Sequence, residues 1–376
     1  MKVGTNGTII PPVESIVGGA QRAERLGYDS IWWPDHLMGW HPQSVWTPDI
    51  TDLVHGMRNP HEYVDPIASI AACAVSTESI SLGTSVTEPV RRHPAMIAQQ
   101  WLTLDHLSKG RAILGIGSGE TENIEPYGIP WRKPVSRFEE AVRIIRLLWE
   151  HDEPVDFDGE FWTLKDAVVG LAPYRVDDDG TRHYPPIWSG AHGPRMLGIV
   201  GALCDGWLPT YGGGPEAWDE KYATIRAAAT GAGRDPDAIE AGLWAQVVVA
   251  ESEDEVDRLL SHPIMRLWAL TGPAQLFTDA GYEHPVRDDW YGLMDYVPSR
   301  WTREQALAAA EKVPIEVLRS AMLCGTPDTI TEELQAFGTQ GLQHVVLWNI
   351  SYMGDVSVLS SSYKMVGAIA DAIRGS

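Results

Sequence analysis

Short apolar runs alternate with amphipathic helical stretches along the whole chain, and this rhythm limits the possible folds more than any other feature. Val3 precedes a helical pattern from about Ser15 to Leu26 that closes at Gly27, and Ser30-Ile31-Trp32-Trp33 follows as a strand. Helices are predicted over Pro66 to Val75, Pro94 to Leu107 and Pro134 to Trp149, with strands between them over Ile80 to Val86 and Arg111 to Ile116. Pro186-Ile187-Trp188, Gly206-Trp207-Leu208, Trp244 to Val249 and His344 to Asn349 read as further strands, and a terminal helix lies near Val358 to Ile373. About eight strand–helix units in succession imply a parallel sheet, either open with helices on both faces or closed into a barrel.

The phosphate signature separates these two arrangements. Gly115-Ile116-Gly117-Ser118-Gly119-Glu120 has glycine spacing close to a dinucleotide fingerprint. Glu120, however, stands where the third glycine is needed and would set a carboxylate against pyrophosphate. The stretch also falls on a middle strand. A Rossmann arrangement is therefore disfavoured, and the predicted fold is α/β, a (β/α)8 TIM barrel forming one domain over residues 1–376. Two segments exceed ordinary loop length, about 38–65 after the second strand and about 270–324 before the last, and are expected as insertions on the catalytic rim.

Charge and cysteine usage exclude several functions. Acidic side chains outnumber basic ones 51 to 29, giving a formal charge of −22. Such a surface repels nucleic-acid phosphates and anionic lipids, so neither is an expected partner. Cys73, Cys204 and Cys324 are far apart and form no CxxC pair, which removes zinc ribbons and thioredoxin-type chemistry and fits a reducing compartment. No run approaches the ~18 apolar residues of a membrane span. Met1-Lys2-Val3-Gly4 leads directly into a strand, so the expected location is the cytoplasm.

In a barrel, catalytic groups project from the C-terminal ends of the strands. Asp35-His36 with Trp40 follows strand two, Ser85-Val86-Thr87-Glu88 follows strand three, and Ser118-Gly119-Glu120-Thr121-Glu122-Asn123 follows strand four. Strand five runs into Ser189-Gly190-Ala191-His192-Gly193-Pro194-Arg195, a small-residue loop opening a helix whose free N–H groups suit a phosphate. Each cluster also has a purely structural explanation, as a turn, a helix-terminus acid or a tight connection. Their common position on one rim favours function. His36, His41, His55 and His61 have no i, i+4 placement on a helix, so no metal site is expected.

These residues resemble the bacterial-luciferase-like barrel superfamily, in its branch that uses the deazaflavin coenzyme F420. Asp35-His36 with Trp40 looks like the motif of the F420-dependent glucose-6-phosphate dehydrogenases. Gly83-Thr84-Ser85-Val86 resembles the strand where the family carries a non-prolyl cis peptide, here expected at Ser85–Val86. Arg92-His93-Pro94-Ala95 with Gln99, then Gly117-Ser118-Gly119-Glu120 with Asn123, continue the match. A narrower resemblance, to the phthiodiolone/phenolphthiodiolone dimycocerosate ketoreductases of actinobacteria, rests on Glu125-Pro126-Tyr127-Gly128, Ala191-His192-Gly193-Pro194-Arg195 and Gly325-Thr326-Pro327-Asp328.

The resemblance implies an F420-dependent oxidoreductase that moves a hydride between the deazaflavin C5 and a carbonyl or carbinol carbon. It implies His36 and Glu120 as proton-handling groups, with Trp40 walling the reacting centre. Asp35, Ser85, Val86, Ser118, Gly119, Asn123 and the loop Gly190, Ala191, His192, Gly193 and Arg195 would hold the cofactor. A homodimer is implied by the same likeness. Two alternatives stay open, an FMN-dependent monooxygenase on the same barrel and an F420-dependent sugar-phosphate dehydrogenase. The substrate is expected to be a bulky apolar ketone or secondary alcohol. Sixteen tryptophans are present, and Trp40, Trp46, Trp290 and Trp301 fall on the two long segments, where a shared aromatic cleft is expected.

Overall fold

The structure, a computed structural model, describes residues 1–375. Eight parallel strands close into a barrel: β1 (Lys2–Asn6), β2 (Ser30–Trp33), β3 (Ser81–Thr84), β4 (Ala112–Gly115), β5 (Ile187–Ser189), β6 (Gly206–Trp207), β7 (Glu240–Val249) and β8 (His344–Asn349). Each of β1 to β6 pairs with its successor, β8 lies between β7 and β1, and β6 pairs with β7 to complete the ring. The outer layer is α1 (Val13–Arg25), α2 (Pro66–Ala74), α3 (Pro94–Ser108), α4 (Pro134–Glu150), α5 (Pro194–Leu203), α6 (Gly214–Gly231), α7 (Pro327–Thr339) and α8 (Leu359–Arg374). The predicted TIM barrel is therefore observed.

Strand alternation sorts residues to the two faces of the wall. Ile31, Leu82, Leu114, Ile187, Leu243 and Val345 face the helices in one continuous core. Trp32, Trp188, Trp244 and Val346 point inward and fill the barrel. Trp32 and Trp188 sit with ring centroids 5.5 Å apart. Burying each such side chain is worth ~2–3 kcal/mol, and the aromatic pair adds ~1 kcal/mol. Helix starts follow simple chemistry, with proline in the first turn of α2, α3, α4, α5 and α7 and the Asp65 and Thr326 side chains capping α2 and α7.

The two long segments differ from each other. Residues 38–65 stay irregular, with short 3-10 turns at Gln43–Val45 and Asp52–His55. The stretch expected as loop over 270–324 is largely helical, with Ala274–Asp279, Arg303–Glu311 and Ile315–Ala321. The last two of these follow Glu253–Leu260 and Pro263–Trp268 in an insertion between β7 and β8. Helices of six to nine residues span about two turns, too short for a sustained apolar period to mark them in the sequence. Among the described residues no helix is long and apolar enough to cross a membrane.

Candidate active site

The loops after β2 and β4 meet over the mouth of the barrel. Three glycines let the second loop approach. A Cβ at Gly115 would strike the Thr84 carbonyl oxygen, a Cβ at Gly117 would meet Val86 at 2.8 Å, and Gly119 adopts φ +94°. The Ser85–Val86 peptide beside them is cis, as the resemblance implied.

Asn123 fastens the two loops together. Its Oδ1 accepts from the backbone N–H groups of Leu37 (2.7 Å) and Met38 (3.1 Å). Its Nδ2 lies 3.3 Å from His36 Nδ1, 3.2 Å from Glu122 Oε1 and 3.5 Å from Glu120 Oε2. His36 Nδ1 is also 3.2 Å from the Met38 carbonyl oxygen. The other ring nitrogen, Nε2, lies 3.6 Å from Glu120 Oε2. The His36 side chain is 7% exposed and Glu120 30%, so the pair spans the step from pocket to solvent. Trp40 meets the His36 ring edge-on at 5.2 Å and Tyr63 stacks on it at 5.5 Å, holding the imidazole between two aromatic surfaces. The three acid–base groups His36, Glu120 and Glu122 each bring one ligand-type atom within 4.8 Å of the others.

Glu122 differs from its neighbours in burial. It is fully buried, and its Oε1 accepts the Trp40 indole N–H at 3.2 Å. Burial pushes its carboxyl well above the usual range, and the adjacent Glu120 charge adds to this. Burial likewise raises the Tyr63 hydroxyl, with further contributions from Glu120 and Glu122.

The remaining sequence-predicted residues fall into two groups. Asp35 is buried at the same rim, but its carboxylate is engaged by Thr87, Arg91 and Arg92, and Arg91 also holds Glu88. Ser118 accepts the Trp131 indole N–H on its carbonyl oxygen at 3.3 Å. Across the mouth, the loop Gly190 to Gly193 leads into α5, whose N-terminus has no side-chain cap. There Ala191 accepts the Trp207 indole N–H at 2.8 Å, His192 Nε2 lies 3.0 Å from Thr210 Oγ1, and Arg195 pairs with Glu139 at 3.3 Å.

Several buried polar atoms have no hydrogen-bond partner among the described residues, and a group of them lines this end of the barrel. They are Asn6 Oδ1 at the end of β1, Ser85 Oγ after β3, Glu122 Oε2, and Gln246 Oε1 with Trp244 Nε1 on β7. Asn6 and Gln246 lie on the inward face by alternation with Gly4 and Trp244. Buried polar atoms are normally paired, so such a concentration marks a place prepared for a polar ligand.

The expected tryptophan cleft is corrected. Trp46 and Trp290 are buried at 6% and 5% exposure in the insertion's own core with Val45, Ile264, Leu267 and Tyr296, and Trp301 packs against them. Their indole N–H groups end on the carbonyls of Met57 and Leu270. The insertion needs apolar filling of its own once it folds into helices. Only Trp40 of the four reaches His36. The aromatic wall instead joins Trp40 to Trp268 (5.1 Å) and Trp348 (6.1 Å), which sequence reasoning missed. Tyr63, Asn6 and Gln246 were missed too. A lone glutamine within the apolar run Trp244 to Val249 was the available signal for the last.

Comparison with known proteins gives the family and agrees with the fold. The sequence profile of the "Luciferase-like monooxygenase" family matches residues 2–344. The phthiodiolone/phenolphthiodiolone dimycocerosates ketoreductase of Mycobacterium tuberculosis (strain H37Rv) is 34% identical over 343 residues, 90% of this chain and 88% of its own. The 5,10-methylenetetrahydromethanopterin reductase of Archaeoglobus fulgidus is 28% identical over 324 residues, 86% of each chain. An F420-dependent secondary alcohol dehydrogenase solved with an F420–acetone adduct superposes with a TM-score of 0.74 at 22% identity, covering 99% of this chain and 98% of that one. The barrel, the loops that meet at His36 and these likenesses place the chain in the luciferase-like family.

Proposed function

We propose that this protein is a coenzyme F420-dependent oxidoreductase that interconverts a bulky apolar ketone and its secondary alcohol. The observation that carries the reading is the pairing of His36 and Glu120, 3.6 Å apart, beside a rim of unpartnered polar atoms. F420 dependence is named for two fold relatives, the secondary alcohol dehydrogenase and a tetrahydromethanopterin reductase, and the ketoreductases at 34% identity act on a ketone by name.

The residues fit the coenzyme. Ser85 offers an unpartnered hydroxyl and Gln246 an unpartnered amide oxygen, suited to a polar heterocycle. The uncapped N-terminus of α5, with Gly190 to Gly193 and Arg195, suits the coenzyme's phosphate. Arg195 would exchange Glu139 for that anion. Val86, Ser118 and Gly119 shape the wall between these points. Asp35 and Asn123 serve by holding the loops, because their polar atoms are engaged within the chain.

When bound, the reduced deazaflavin supplies a hydride. The chain manages the proton. His36 Nε2 donates to the carbonyl oxygen, while Nδ1–H stays anchored on the Met38 carbonyl oxygen. Glu120 stabilises the imidazolium form and connects it to solvent. Trp40 and Tyr63 exclude water from the His36 ring and fix its plane.

Trp40 and Trp348, both half-buried, support an apolar substrate, since indoles provide large contact area, and Trp268 packs behind them in the core. A homologous series of methyl ketones assayed with reduced F420 tests this. Each added methylene should raise kcat/KM by about fourfold, from ~0.8 kcal/mol of burial, until the cleft is filled. A flat series with efficient oxidation of glucose 6-phosphate would reject the apolar substrate.

A further inference from the structure

Glu122 has no part in the scheme above, and it is the group at the mouth whose burial most needs a reason. Its carboxyl is fully buried, and a charged carboxylate there would require donors on both oxygens. Oε1 has them, from Trp40 and Asn123 at 3.2 Å each. Oε2 has no partner among the described residues. Its neighbour is a second carboxylate, Glu120, and both lie within 4.8 Å of a His36 ring nitrogen. Arg91 is the cation that faces Glu120, and it is already engaged by Asp35 and Glu88. The other titratable side chains that feel the charge of the pair are Tyr63, Tyr127 and Tyr296. With one of two such close carboxylates fully buried, a proton held between them is favoured over two charges.

We propose that Glu122 and Glu120 hold one proton between them, with Glu122 as a positioning residue that keeps Glu120 able to return a proton to His36. The relay rests on the F420 reading above. In the reduction, the carbonyl carbon takes a hydride with its two electrons from the reduced deazaflavin, which is left oxidised. The carbonyl oxygen takes the proton on His36 Nε2. The imidazole recovers a proton from the carboxyl pair, and the partly exposed Glu120 reloads the pair from water. In alcohol oxidation every transfer reverses. Glu122 never meets the substrate; its O–H supplies the second site that lets the pair stay loaded at a pH where a lone carboxylate has already ionised.

Glu122→Gln tests this, because the amide keeps the shape, the neutrality and the hydrogen bonds to Trp40 and Asn123 but carries no exchangeable acid. Infrared spectra of the coenzyme-free protein at neutral pH should show a protonated-carboxyl C=O stretch that E122Q lacks. The alkaline limb of the ketone-reduction profile should move at least one pH unit lower in E122Q, a tenfold loss of kcat above the limb with KM unchanged. Glu122→Asp should move the limb back. Superimposable pH profiles, an unchanged infrared spectrum, or a stoichiometric divalent ion that E122Q loses would overturn the shared proton. The two readings fail separately. Deazaflavin-dependent turnover without the infrared band rejects the shared proton alone, whereas the band without such turnover rejects the relay and the F420 function together.

Discussion

At the N-terminal end of the barrel, His344 stands between a hydroxyl and a carboxylate; at the C-terminal end, His36 stands between an amide and a carboxylate. In the first network His344 Nε2 lies 2.7 Å from Ser30 Oγ, which also accepts the Trp32 indole N–H at 2.7 Å. His344 Nδ1 is 3.2 Å from Glu240 Oε1, and Lys2 closes the chain at 2.9 Å. Ser30, Glu240, His344 and Lys2 are the first residues of β2, β7, β8 and β1, so one turn of register brings all four together. Both histidine nitrogens have partners, and the carboxylate has a cation. At the mouth the same residue types leave Glu122 Oε2 without a partner and set two carboxylates side by side. A satisfied network has a single proton arrangement and contributes rigidity, whereas an underpaired one keeps several arrangements close in energy and can exchange protons.

The comparison breaks if a change at one end acts like a change at the other. The largest expected effect is at the mouth, where His36→Ala should lower turnover by ~10²–10⁴-fold, and Glu120→Gln by a factor within that range. Thermal unfolding of both variants should stay close to that of the parent. Steady-state kinetics beside calorimetry would read both quantities.

Next comes His344→Ala at the floor, which takes one of its two partners from the buried Ser30 hydroxyl and one from the Glu240 carboxylate, leaving them Trp32 and Lys2. It should cost about 2 kcal/mol of stability by denaturant unfolding, with turnover per folded molecule retained. Loss of turnover in a folded His344→Ala protein would contradict the division between the ends.

Asn123→Ala sharpens the contrast, since Asn123 acts at the mouth by holding the Leu37 and Met38 backbone and by donating to Glu122. Freeing the Leu37 and Met38 N–H groups should loosen the His36 loop and lower kcat by about tenfold, through misplacement of the catalytic group. The smallest effect concerns pH. Burial opposes ionisation of Glu240, but hydrogen bonds from His344 and Lys2 outweigh it and hold the carboxyl below its ordinary range. Its contribution to stability is therefore present above the ordinary glutamate range and is lost as pH falls through the lowered value. The acid side of a Tm-against-pH curve should be shallower in Glu240→Gln than in the parent.

The two ends were not equally legible in the sequence. The wall of the barrel was readable because buried parallel strands are continuous apolar runs, and β2, β4, β7 and β8 were each found within a few residues of their ends. Helix α6 was missed, as its alanine- and glycine-containing surface offers little contrast between faces. The hairpin Val155–Asp158 with Thr163–Ala167 was missed because its strands are only four and five residues long, too short for the alternation of Val155 and Phe157 with aspartates to stand out. His36, Trp40, Glu120 and Asn123 were legible because each stands at a fixed offset after a strand. Tyr63 and Trp268 reach His36 or Trp40 only through the folding of insertions, which leaves no local spacing to read, whereas Trp348 stands on β8 and only the closure of the barrel brings it to Trp40. Glu122 was visible but had no assigned role, since its burial is a tertiary property. The floor network was invisible for the same reason: Ser30 and His344 are 314 residues apart.

The central claim is that the mouth is built for a deazaflavin, and the most direct measurement is a parallel binding titration with coenzyme F420 and FMN on the purified protein. The account predicts saturable F420 binding at least a hundredfold tighter than FMN (about 2.7 kcal/mol). Equal affinity for the two, or FMN turnover that consumes oxygen, would contradict it.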